Sequence, residues 1–84
     1  MIDDCVTLAT SSSKAAALAT DAASVEFFRD DCQSALEEVV ERVCKIVRQS
    51  PGTRAAELAI ESIAVVARRY HEICREAERV RRAS

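Results

Sequence analysis

The only proline and the only glycine of this 84-residue chain stand side by side, in Ser50-Pro51-Gly52-Thr53. Everywhere else the backbone is free of the two residues that most often break regular structure, so one strong stop divides the chain into two long stretches. Pro51 and Gly52 end one helix, and Thr53, or Ser50 with Pro51 at the first helical position, offers a side-chain oxygen to cap the next. A weaker break lies at Ala19-Thr20-Asp21, where Asp21 is placed to cap the middle segment. With 49% apolar residues, mostly Ala, Val, Leu and Ile, and 31% charged residues, a disordered chain is excluded, and the scarcity of turn residues argues against a β fold.

Three helices follow, at about residues 3–19, 21–49 and 53–82, in one domain. In the second, Val25, Phe28, Cys32, Ala35, Leu36, Val39, Val43, Ile46 and Val47 recur at three- and four-residue steps, the signature of one buried face. The third carries two overlapping seams. One is Ala56, Ile60, Ile63, Ala67, Tyr70, Cys74 and Ala77; the other is Ala59, Ile63, Val66, Tyr70, Ile73, Ala77 and Val80. Together they span an arc wider than one neighbour needs, which predicts contact with two helices. The first segment has a stripe of small residues, Cys5, Ala9, Ser12, Ala16 and Ala19, with Leu8 and Ala15 beside it. Thr10 to Ser13 is poor helix material, but the spacing continues across it, so one unbroken helix is expected.

A chain this short buries only about 60–65% of its unfolded surface, so additional staples are expected. The four cysteines invite that reading. Cys32 and Cys44 share a helix and lie about 18 Å apart, too far to bond. If helices two and three fold back around residues 50–53, residues whose numbers total about 103 lie side by side, which brings Cys32 close to Cys74 and leaves Cys44 about 22 Å from it. The expected pattern is therefore Cys32–Cys74 with Cys5–Cys44, in an antiparallel up-down-up three-helix bundle with two inter-helix disulfides. Such bridges imply an oxidising or extracellular setting. The alternative is four free thiols buried in the core.

No catalytic constellation is visible. There is one histidine, no Gly-rich phosphate loop and no Cys-His or Ser-His-Asp arrangement that this layout assembles, so the chain reads as a non-enzyme without a cofactor. His71 with Cys74 supplies only two of the four ligands a structural zinc takes. The net charge of −2 gives no reason to expect nucleic acid, and the arginines between Arg68 and Arg82 interleave with Glu72, Glu76 and Glu78 as helical pairs. No signal peptide or membrane-spanning run is apparent, and with small apolar patches and mixed charge a monomer is expected.

The idealised run Ala55-Ala56-Glu57-Leu58-Ala59-Ile60-Glu61, the Arg/Glu surfaces and the short Thr20-Asp21 and Ser50-Pro51-Gly52-Thr53 connections resemble computationally designed helical bundles and designed helical-repeat proteins. The resemblance covers about residues 20–84 and is one of style rather than of motif. The first helix departs from it, with Lys14 as the sole charge between Asp4 and Asp21. Its outward residues Thr7, Thr10, Ser11, Lys14, Ala17 and Leu18 form a neutral strip. Beside it, Phe27 stands about 160° from the centre of helix two's apolar stripe, next to Asp30 and Ser34. Two roles are open to Phe27: folding back over Leu18 to close the bundle end, or anchoring a partner. The expected protein-binding surface is thus Thr7, Thr10, Ser11, Lys14, Leu18, Phe27, Asp30 and Ser34, in a binding module or designed mini-binder. The alternative is a ligand-free, hyperstable scaffold. Leu58 and Val65, which share a face of helix three, form a second apolar patch, where a homodimer contact is the competing reading.

Overall fold

The computed structural model describes residues 2–83. Three helices, α1 (Ile2–Leu18), α2 (Ala22–Gln49) and α3 (Arg54–Ala83), form an up-down-up bundle in which each packs on the other two. It is a rod, with Cα extents of 49 × 14 × 14 Å. Helices of 17, 28 and 30 residues account for this shape, since an α-helix rises 1.5 Å per residue.

Local chemistry sets the ends. Asp21 is extended (φ −125°, ψ 151°) and accepts hydrogen bonds from the Ser24 backbone N–H at 3.0 Å and the Ser24 hydroxyl at 2.7 Å. The first bond satisfies an amide that the start of a helix leaves without a partner. At the other connection the Ser50 N–H donates to the Ile46 carbonyl at 2.9 Å, closing the last turn of α2. Gly52 then takes the left-handed conformation, φ +75°, which side chains with a Cβ rarely adopt. Thr53 caps α3, its Oγ1 accepting from the Ala56 N–H at 3.2 Å and donating to the Ser50 carbonyl at 2.8 Å.

The core runs the length of the rod. α1 contributes Cys5, Ala9, Ser12 and Ala16; α2 contributes Val25, Cys32, Ala35, Val39 and Val43; α3 contributes Ala56, Ala59, Val66, Ile73 and Val80. The alanines and Ser12 on α1 leave little bulk between helices, which lets α1 sit close to its neighbours. α1 is helical through Ser11, Ser12 and Ser13, because tertiary contacts outweigh the low propensity of that stretch.

Of the two seams on α3, Ala59, Val66, Ile73 and Val80 are buried, whereas Ile60 of the other is 53% exposed and Ala67 is also exposed. The apolar arc of α3 is wider than the area its two neighbours cover, and its α2-side edge remains open.

The two expected disulfides are absent: all four cysteines are free thiols. Cys5 is buried facing Glu38 of α2, and Cys44 is exposed. Cys44 therefore lies six residues, about 9 Å, along the axis from the level of Cys5, on the outer side of its helix. Cys32 and Cys74 lie near enough for the charge of one to act on the other, but Cys32 sits fully in the core, its sulfur 4.0 Å from the Val66 carbonyl oxygen, while Cys74 lies on the half-exposed flank of α3. The two sulfurs are therefore not at the distance that a disulfide needs. The inference to an oxidising setting falls with the bridges. No helix among the described residues is long and apolar enough to cross a membrane.

Candidate functional site

The three grooves between helices differ in what closes them. The α1–α3 groove is tied by polar contacts. The Ser13 hydroxyl donates to Glu72 Oε2 at 2.8 Å, and Arg69 donates to both oxygens of the same carboxylate at 3.1 and 3.2 Å. The hydrogen bond from Ser13, with Arg69 reinforcing it, holds Glu72 below the usual glutamate range. Further along, Arg79 Nη2 donates to the carbonyls of Ala17 at 3.5 Å and Ala19 at 3.1 Å.

The α2–α3 side carries an open groove of about 350 Å³ lined by Glu26, Arg29, Cys74, Ala77, Glu78 and Arg81, with Ala22 at its end. Its charges alternate in sign. The groove opens towards Cys74, whereas His71 projects from α3 into solvent. Among the described residues no three His, Cys, Asp or Glu side chains come together as a metal site would require.

The α1–α2 groove has a different character. Residues 27, 31, 34 and 38 follow one flank of α2, and Glu38 meets Cys5, so that flank is the one turned to α1. On α1 the matching flank carries Cys5, Leu8, Ser12 and Ala15. With Cys5 level with Glu38, Leu8 is level with residue 35 and Phe27 with Ala16. Leu8 is 43% exposed, Leu18 84% and Phe27 62%. These three large apolar side chains stand along one groove, towards the end where α1 turns into α2. Between residues 8–18 of α1 and 22–35 of α2 no hydrogen bond or ion pair links the side chains of the described residues.

Of the residues expected on a binding surface, Thr7, Ser11, Lys14, Leu18, Phe27, Asp30 and Ser34 are exposed. Thr10 is half-buried, on the α1 flank from which Ser13 reaches Glu72, and so belongs to the α3 side. The groove brings together Ser11, Leu18, Phe27 and Ser34; Thr7 and Lys14, seven residues apart, form the outer ridge of α1. Phe27 does not close the bundle end. Its ring packs edge-on against Phe28, with centroids 5.6 Å apart and planes at 79°, and Leu18 is left uncovered. Leu8 is the addition: its neighbour Cys5 is buried, so periodicity placed Leu8 beside the core, but the residues on the facing flank of α2 are short or polar and cover only part of it.

No protein-family model matches this chain, and no curated protein or solved structure shows significant similarity to it.

Proposed function

We propose that the chain is a non-catalytic protein-binding module that engages a partner protein through the α1–α2 face, with Phe27 and Leu18 as its anchors. The observation that carries this reading is the exposure of these two side chains, 62% and 84%, on either side of a single turn. Scattered exposed aliphatics are ordinary on a small protein, but a phenylalanine held off its own helix's apolar face beside an uncovered leucine is the kind of anchor that dominates interface energetics. The neutral surface of α1 supports the same reading, since charged residues are depleted at interface cores. Leu58, 48% exposed near the other end of the rod, serves as the control position.

The test places a photo-crosslinking phenylalanine analogue at position 27 and, separately, at position 58. A discrete adduct from position 27, lost on Leu18→Ser and not formed from position 58, is the expected result. If position 27 gives no adduct and Phe27→Ala lowers the melting temperature by many degrees, Phe27 is a packing residue, and the chain is a ligand-free scaffold instead.

A further inference from the structure

We draw no further inference here: the strongest candidate, the exposed apolar face between α1 and α2 that carries Leu8, Leu18 and Phe27, belongs to the surface already described, and nothing in the structure shows what covers it.

Discussion

Arg79, on the second-last turn of α3, donates through Nη2 to the Ala19 carbonyl at 3.1 Å, just beyond the end of α1. α1 has no basic residue in its own last turn, so the partial negative charge and open carbonyls at that end are met by a cation from another helix. Glu76 holds the same guanidinium from the other side, with its carboxylate 2.8 Å from Nε. Arg79 therefore links the α1–α2 turn to α3 and steadies the base from which Leu18 projects.

Arg79→Ala is expected to cost about 0.5–1.5 kcal/mol, the usual range for a partly exposed hydrogen bond with a helix-end charge. Arg82→Ala, which removes only an exposed pair with Glu78, should change stability by less than about 0.5 kcal/mol. Urea denaturation compares the two. Amide exchange should locate the Arg79 effect at Ala16–Ala19; uniform loss of protection would contradict a local cap.

Glu72 supplies a pH signature. Its pKa is lowered in the folded state by the Ser13 hydroxyl first and Arg69 second. A depressed carboxylate stabilises the fold fully above its unfolded value and loses that contribution as pH falls through the folded one. Ser13→Ala should bring the Glu72 titration, followed by NMR, back towards the ordinary glutamate range, and should flatten the acid limb of stability. Because the pair is partly open to solvent, the change at neutral pH should be small, under about 1 kcal/mol.

Burial separates two isoleucines of α3. Ile73 is fully buried and Ile60 is more than half exposed. Ile73→Ala should cost about 2–4 kcal/mol, transfer and cavity terms together, whereas Ile60→Ala should stay within about 1 kcal/mol. Comparable losses in chemical denaturation would mean that Ile60 is covered in solution.

These cases show where sequence reasoning carries and where it stops. The caps at Asp21 and Thr53 and the stop at Pro51-Gly52 are local, because each depends on residues within four positions, so their chemistry is readable from neighbours alone. The stripe Cys5, Ala9, Ser12 and Ala16 is likewise readable, since period fixes a face. The width of an apolar arc, by contrast, does not say which of its edges a neighbour covers, and Ile60 and Ala67 fell on the open one. The Cys5–Cys44 pairing failed for a related reason: it was what remained once Cys32 was assigned to Cys74, whereas the register that sets Cys5 against Glu38 comes from packing along the whole rod. Arg79 over Ala19 joins residues 60 apart in sequence and has no local signal. On the α1–α2 face, the off-stripe position of Phe27 and the missing charges of α1 were legible, whereas the exposure of Leu8 depended on the short or polar side chains opposite it.

The thiols give the last prediction. Burial, then the charge of Cys74, pushes the Cys32 thiol from 9.0 up to about 11. Burial, then the Glu38 carboxylate, raises Cys5 as well. A thiol must ionise to react, so both are protected twice, by access and by proton affinity. Under native conditions at pH 8 a thiol reagent should therefore modify exposed Cys44 first and half-exposed Cys74 more slowly, with Cys5 and Cys32 labelled only when the bundle opens. Because raised pKa values mean that the folded state keeps its protons longer, stability is at its full value below 9.0 and declines as pH rises towards 11. Cys32→Ala should make that alkaline decline shallower while lowering stability at neutral pH, since it also leaves a small cavity. Mass spectrometry of freshly purified protein should find four thiols, and reductant should leave the melting temperature unchanged. A shift of several degrees on reduction would require a disulfide and would contradict the free cysteines of this bundle.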